Sequence, residues 1–147
     1  MPILLKNKKV YFDYEVLEEF EAGLELKGYE VKSLRQSRGS ILGARVIIRG
    51  EEAYIIGMEI PPYQPANTPK DYEPQRTRKL LLKKQEINYL FGKGEERGLT
   101  IVPIKVYYKG PKIKIKIAVV RGQKKHDKRQ KIRKREEKRK IERELKI

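Results

Sequence analysis

Side chains that could perform catalysis or bind a metal are few and scattered in this chain. The 147 residues include no Cys and one His, His126, so neither a thiolate zinc site nor a Cys–His pair can form. The 20 Asp and Glu residues contain no tight Asp cluster of the kind that holds a catalytic metal, and only scattered carboxylates remain as acids and bases. We therefore expect no enzyme, no metal site and no cofactor.

Cationic side chains are the abundant chemical groups. Thirty-six Lys and Arg residues give the chain a formal net charge of +16 and a pI near 9.9, so the chain repels itself unless it meets a polyanion. Residues 1–121 hold 23 basic and 15 acidic groups, and residues 122–147 hold 13 and 5, which divides the excess charge equally. Nucleic acid is therefore the first partner to consider.

The apolar residues predict the elements that must position these cations. Between residues 10 and 26 they occupy nearly every even position, which is typical of a long half-buried strand, and the exception at Glu18 predicts a bulge near residues 17–19. Residues 45–49 and 53–58 are rich in β-branched and aromatic side chains and predict a hairpin. Two further strands are predicted at 99–108 and 113–120, and in the second strand Ile residues alternate with a row of Lys residues.

Helices and loops separate the strands. Helical spacing of apolar residues predicts a short helix over residues 30–38 and a second helix over 84–98. Residues 61–74 carry five Pro residues and should form an exposed loop. Stretches such as 101–108 are interrupted by Pro103 and Lys105 and no signal-peptide pattern opens the chain, so we expect a soluble cytoplasmic protein.

This order of elements predicts an all-β core with flanking helices, in the form of a small antiparallel β-barrel. Among such barrels the oligonucleotide-binding fold is the one most often used to bind RNA. We place one RNA-binding domain at residues 1–121 and a basic tail at 122–147, which has too few aliphatic residues to fold alone. The tail consists of good helix formers, so we expect it to be disordered in the free protein and helical against a polyanion.

Several segments are more specific than composition. In order along the chain they are Phe20-Glu21-Ala22-Gly23, Glu30-Val31-Lys32-Ser33-Leu34-Arg35, Arg76-Thr77-Arg78-Lys79-Leu80-Leu81-Leu82, Gly98-Leu99-Thr100-Ile101-Val102-Pro103 and His126-Asp127-Lys128-Arg129. With Asn7-Lys8-Lys9 at the start and the basic tail, this arrangement resembles the SmpB (small protein B) family across nearly the whole chain.

The resemblance implies a fold and a function. SmpB proteins have an oligonucleotide-binding barrel, bind the tRNA-like part of transfer-messenger RNA in place of its missing anticodon arm, and take part in trans-translation, the rescue of stalled ribosomes with peptide tagging. Asn7, Glu21 and Leu81 match family positions implicated in RNA binding. The neighbouring cations are plausible phosphate contacts: Lys32, Arg35, Arg76, Arg78 and Lys79.

The family tail occupies the empty message channel of the stalled ribosome, where His126 should lie near the decoding nucleotides. The residues expected there are Lys124, Lys125, His126, Asp127, Lys128, Arg129, Lys131, Arg133, Lys134 and Arg135. The resemblance further implies the ribosome and elongation factor Tu as partners, a protein that performs no bond chemistry, and a monomer when free.

The chain departs from the family pattern at three places. The segment Ser40-Ile41-Leu42-Gly43-Ala44-Arg45 lies where relatives commonly carry an Asn-Leu-x-Asp-Ser type of turn, which puts the hydrogen bonds at Gly43, Ala44 and Arg45 in question. Lys83 replaces a frequent His after the three leucines, and Gln123 replaces a usual Lys before His126.

Other interpretations of the same residues stay open. Leu81 could be a core leucine, Asn7 a turn residue, and the arginine cluster a solvated basic face. A general RNA-coating protein or a ribosome-associated structural protein also fits the composition, and Tyr54, Tyr107 and Tyr108 could stack on bases in the first case.

Overall fold

The protein is a strongly curved antiparallel sheet flanked by helices. In the computed structural model, which describes residues 2–122, 133 and 135–140, the strands are β1 (Ile3–Lys6), β2 (Tyr14–Leu24), β3 (Arg45–Arg49), β4 (Glu52–Ile56), β5 (Arg78–Leu81), β6 (Leu99–Lys109) and β7 (Lys112–Gly122). The helices are α1 (Val10–Asp13), α2 (Gly28–Arg35) and α3 (Lys84–Glu95), with a short 3-10 turn at Pro65–Asn67.

The sheet has the strand order β1-β6-β7-β2-β5-β4-β3, and every pairing among these strands is antiparallel. The last strand, β3, curves back to contact β6, and α3 packs against both strands. Leu90 of α3 is fully buried at this junction. The predicted small antiparallel barrel with flanking helices is therefore confirmed.

Two apolar clusters lie on opposite faces of the sheet. The barrel interior is filled by side chains such as Ile55, Leu80, Ile115 and Ile117. A smaller cluster on the outer face contains Val10, Val102, Ile104, Ala118 and Val120. Val10 belongs to α1, so this helical turn covers one end of the outer face.

Most predicted elements are present with shifted bounds. The 45–49 and 53–58 hairpin is formed by β3 and β4, and the predicted bulge lies between Val16 and Glu18. The helix expected at 30–38 spans Gly28–Arg35, because the Glu30 carboxylate accepts the Lys27 backbone N–H at 2.9 Å and so caps the first turn. The helix expected at 84–98 ends at Glu95.

The strand predicted from residue 10 to residue 26 was wrong at both ends. Val10–Asp13 is helical although its apolar residues alternate, because the backbone N–H groups of Phe12 and Asp13 donate to the Lys9 carbonyl. The strand itself ends at Leu24. β1 and β5 were not predicted as strands, since each has four residues and too few alternations to give a period.

The tail is described only in part. Residues 133 and 135–140 are helical and exposed, and the prediction that the tail is disordered when free otherwise falls outside the described residues.

Candidate nucleic-acid interface

Leu81 lies on the outer face of the barrel, with Gly23 of β2 beside it. The three leucines after Lys79 have different environments: Leu80 is buried in the core, Leu82 is half-buried, and Leu81 is 52% exposed. Leu81 is therefore not a core leucine, and it presents an apolar surface to solvent.

The register places a glycine beside this leucine. Gly23 pairs with Leu81 on one side and with Lys114 on the other. A Cβ on residue 23 would lie 3.2 Å from the Cβ of Leu81, so the absence of a side chain lets Leu81 lie over the strand. Leu81 and Lys114 therefore flank the same glycine, and both line one cleft.

A cleft of about 590 Å³ surrounds Leu81, and we call it the Leu81 cleft. It is lined by Glu21, Gly23, Glu51, Glu52, Lys79, Leu80, Leu81, Leu82, Lys83, Glu86, Ile87 and Lys114. Three of the residues selected from the sequence, Glu21, Lys79 and Leu81, meet in this cleft. Lys83, a departure from the family pattern, lines it as well.

Glu21 is held by two hydrogen bonds. The Tyr107 hydroxyl donates to Oε2, and Lys109 Nζ donates to Oε1 at 2.9 Å. The Tyr107 bond, followed by the Lys109 bond, keeps the pKa of Glu21 below its ordinary value, so the carboxylate stays ionised. An ionised carboxylate only accepts hydrogen bonds, which suits base N–H groups and ribose hydroxyls and not phosphate.

The sequence interpretation did not select Tyr107 and Lys109 as partners of Glu21. They lie on β6, two strands away from Glu21 in the sheet. The available signal was the alternation of Lys105, Tyr107 and Lys109 along the chain, which mirrors the lysine row of β7.

A second glutamate of the cleft has the same type of environment. The Tyr54 hydroxyl donates to Glu52 Oε2 at 2.6 Å, and Lys79 Nζ donates to Glu52 Oε1 at 2.9 Å. The pKa of Glu52 is lowered, first by the Tyr54 bond and then by Lys79. Lys79 is thus partly neutralised by an acid, which weakens it as a phosphate contact relative to Lys114.

Arg78 is the clearest correction to the predicted site. Its side chain is 0% exposed, and its guanidinium makes five hydrogen bonds, to Glu30 Oε2, the Tyr72 hydroxyl and three backbone carbonyls. A guanidinium has five N–H donors, so none remains for a phosphate. Arg78 is therefore a structural residue, which its charged neighbours in the sequence did not suggest.

Glu30 is the acid that balances this arginine. Its side chain is fully buried and also pairs with Arg76. Arg76 Nε donates a hydrogen bond to Glu30 Oε2 at 3.1 Å, and Arg76 Nη2 donates to Glu30 Oε1. Burial alone would raise the pKa of Glu30, but the Arg76 bond, the Lys27 backbone bond and the Arg78 charge outweigh it and lower the pKa. Burial, with the nearby Glu30 charge, raises the pKa of Tyr72 to about 12.

The other predicted cations lie in different settings. Arg76 keeps a quarter of its side chain exposed, so one edge stays accessible beside the Glu30 pair. Lys32 and Arg35 are exposed on the last turns of α2, and Lys32 Nζ lies 5.9 Å from the ring centre of Tyr63. Neither lines the Leu81 cleft.

Asn7 is a turn residue in this structure. It is 8% exposed, and its Oδ1 accepts the backbone N–H of Lys9 at 3.2 Å. It lines a separate depression of about 410 Å³ together with Lys9 and the divergent residues Gly43, Ala44 and Arg45. The structure therefore does not bring Asn7 into the cleft of Glu21 and Leu81.

Most predicted message-channel residues lie outside the described residues, namely Lys124, Lys125, His126, Asp127, Lys128, Arg129, Lys131 and Lys134, as does the divergent Gln123. Arg133 and Arg135 are exposed on the helical part of the tail. The guanidinium of Arg135 lies 5.7 Å from the ring centre of Phe12 in α1.

Within the part of the chain that the structure describes, no group of three or more His, Asp or Glu side chains is arranged to hold a metal ion. No described helix combines the length and apolar character needed to cross a bilayer.

Comparisons with known proteins agree with the geometry. The family model of the SmpB protein matches residues 4–147. An SsrA-binding protein of Mycoplasma mycoides is 47% identical over 94% of this chain and 93% of the relative, and one of Acaryochloris marina is 45% identical over 98% and 94%. A chain from a solved structure described as "tmRNA-SmpB: a journey to the center of the bacterial ribosome" is 40% identical, covers 85% of this chain and 87% of its own length, and has a TM-score of 0.69. On the strength of these matches over nearly its whole length, the chain belongs to the SmpB family.

Proposed function

We propose that this protein binds the tRNA-like domain of transfer-messenger RNA and delivers that RNA to stalled ribosomes during trans-translation. The family is one of RNA-binding proteins and not of enzymes. Its relatives are named SsrA-binding proteins, and the similar solved chain belongs to a structure described by tmRNA, SmpB and the bacterial ribosome. A function on ribosomes implies work in the cytoplasm.

The observation that carries the proposal is that Glu21 and Leu81 line one cleft although they are far apart in the sequence. Both match family positions implicated in RNA binding. The cleft also contains Lys83 and Lys114, so an apolar surface, an ionised acceptor and cations occur together. This combination fits an unpaired nucleotide of a folded RNA, whose base, ribose and phosphate each need a different partner.

Each group has a separate task in this proposal. Leu81 packs against a base or ribose, the lysines bind phosphates, and Glu21 accepts hydrogen bonds from base N–H or ribose O–H groups. Arg76, Lys32 and Arg35 extend the cationic surface toward α2 and contact the backbone of the same RNA.

The positions of the tyrosines argue against a general coating protein. Such a protein would offer aromatic faces for stacking on successive bases. Tyr107 is 2% exposed and Tyr108 packs against the core, while the Tyr54 hydroxyl is bound to Glu52. These three residues therefore do not form a stacking row.

The tail supplies the second half of the proposal. Residues 122–147 would enter the empty message channel, with His126 near the decoding nucleotides, and elongation factor Tu would accompany a monomeric protein bound to its RNA. The density of positive charge in this segment suits a channel lined by ribosomal RNA.

Binding experiments with three RNAs test the proposal. The affinity of the full chain would be measured for the tRNA-like domain of transfer-messenger RNA, an elongator tRNA and a plain RNA duplex, each at two salt concentrations. Charge alone binds all three and weakens steeply with salt. A preference for the tRNA-like domain that survives the higher salt is expected, and equal affinities that fall together would reject the specific function in favour of general RNA coating.

A further inference from the structure

Tyr107 and Glu21 differ in their access to a bound RNA. Tyr107 is 2% exposed, whereas the Glu21 side chain is 32% exposed and lines the Leu81 cleft. The Tyr107 hydroxyl donates its hydrogen bond to Glu21 from beneath the surface. Tyr107 therefore affects an RNA in the cleft through Glu21 and not by direct contact.

The ring of Tyr107 is itself fixed in place. In the sheet, Tyr107 pairs with Lys114 of β7, and Lys114 pairs with Gly23 of β2. The Tyr107 hydroxyl therefore reaches across β7 to bind Glu21 on β2. Lys105 Nζ lies 5.3 Å from the ring centre and covers it from outside. A rigid donor with few free torsions is well suited to hold an acceptor at one place.

We propose that Tyr107, assisted by Lys109, is a positioning residue for RNA binding that fixes the Glu21 carboxylate as a preorganised hydrogen-bond acceptor. Tyr107 occupies one acceptor site on Oε2 and Lys109 one on Oε1, which leaves acceptor capacity on both oxygens for N–H or O–H donors of the RNA. Fixing the acceptor before binding removes part of the ordering cost from the association step. The proposal rests on the proposed function of the cleft.

The Glu52 group provides a matched control within the same protein. Tyr54, Glu52 and Lys79 repeat the tyrosine, glutamate and lysine bonding of the Glu21 group. Tyr54→Phe thus removes the same kind of hydroxyl bond from a glutamate that the family resemblance does not assign to the RNA. A general effect of losing such a bond would appear in both variants.

The test is a double-mutant cycle read by affinity for the tRNA-like domain. Tyr107→Phe is expected to weaken binding roughly tenfold, as for a hydrogen bond to a charged group, and Tyr54→Phe to change it less than about twofold. In a Glu21→Ala background, which removes the acceptor that Tyr107 holds, Tyr107→Phe should cause no further loss. Wild-type affinity of Tyr107→Phe, or an equal loss in the Glu21→Ala background, would overturn the proposal.

Two further measurements separate positioning from folding. The exposed Lys109→Gln variant, which lacks the second restraint, should also weaken binding, and again only when Glu21 is present. Carbon-13 NMR titration of the Glu21 carboxyl should show a higher pKa in Tyr107→Phe than in the wild type, because the bond that lowers the pKa most is lost. An unchanged Glu21 titration would contradict the proposal. A wild-type chain without preference for the tRNA-like domain would instead reject the proposed function itself.

Discussion

Glu30 connects three parts of the molecule at the scale of single residues. Its carboxylate caps α2, pairs with Arg76 at the end of the long loop, and pairs with the buried Arg78 of β5. The sequence positions of Glu30 and Arg78 are 48 residues apart, so the network fixes α2 and the loop against the sheet. An ionic group in this position stabilises the fold only while both charges are present.

Glu30→Gln should destabilise the protein strongly although the side chain keeps its size. The substitution leaves Arg78 buried without a counter-charge, and breaking such a pair costs about 3–5 kcal/mol. Urea unfolding of the wild type and the variant measures the difference. Glu25→Gln, at an exposed position nearby, is the control and should change the free energy of unfolding by less than about 0.5 kcal/mol.

The same carboxylate should make stability fall in acid. The pKa of Glu30 is lower in the folded protein than the value of about 4.3 for an unfolded chain, so its contribution is complete above that value. The contribution is lost as the pH falls through the folded pKa, when Glu30 becomes protonated. The free energy of unfolding, measured from pH 6 downward, should therefore decline less steeply in Glu30→Gln than in the wild type. An equally steep decline in both proteins would show that other carboxylates cause it.

At the scale of elements, the alternation of apolar and polar residues predicted the longer strands and the bulge in β2. It failed where a strand is short or carries a buried charged residue. β5 was overlooked because Arg78 occupies an inward position, and only the distant Glu30 makes that burial possible. β1 pairs only at the sheet edge through four residues, too short for a period. α1 was assigned to a strand because local alternation cannot reveal that Val10 packs on the outer face.

The candidate site, like the fold, was predicted in part. The family resemblance selected Glu21 and Leu81, and the structure brings them into one cleft. It did not reveal that Arg78 is buried or that Tyr107 binds Glu21, since both facts depend on contacts between distant strands. Residue type indicates which groups can bind RNA, whereas exposure depends on the fold.

The β2–β5 pair gives a prediction about Leu81. Gly23→Ala places a Cβ about 3.2 Å from Leu81 Cβ, so the leucine must shift within the cleft. A displacement that costs about 1 kcal/mol of RNA contact lowers affinity roughly fivefold, while the fold is retained. Gly122→Ala, another strand glycine whose added Cβ would meet no atom within 4 Å, is the control and should bind normally.

At the scale of the whole molecule, the positive charge is divided between a structured barrel and the segment after Gly122. Each part carries half of the net charge, but only the barrel contains the Leu81 cleft. Under the proposed function, affinity for a folded RNA and entry into the ribosome should therefore separate when the chain is cut after Gly122.

A chain ending at Gly122 should keep its affinity for the tRNA-like domain within about threefold at physiological salt, because screening weakens the added attraction of the tail. Peptide tagging on stalled ribosomes should be abolished, since the proposed function assigns entry into the message channel to the tail. Filter binding and a reconstituted tagging reaction measure the two effects. Loss of RNA binding in the truncated chain would refute this division between barrel and tail.

The closure of the barrel has a consequence for its motions. β3 contacts β6, and α3 packs against both strands. In the described residues no ladder of backbone hydrogen bonds joins β3 to β6. A cavity of about 350 Å³ lies at this junction. Local opening is easiest where packing is loosest and hydrogen bonds are fewest. Amide hydrogens of β3 and α3 should therefore exchange with deuterium earlier than those of β2 and β7. The barrel would then open locally at the β3–β6 junction, while β2 and β7, the strands that carry Glu21 and Lys114, remain paired.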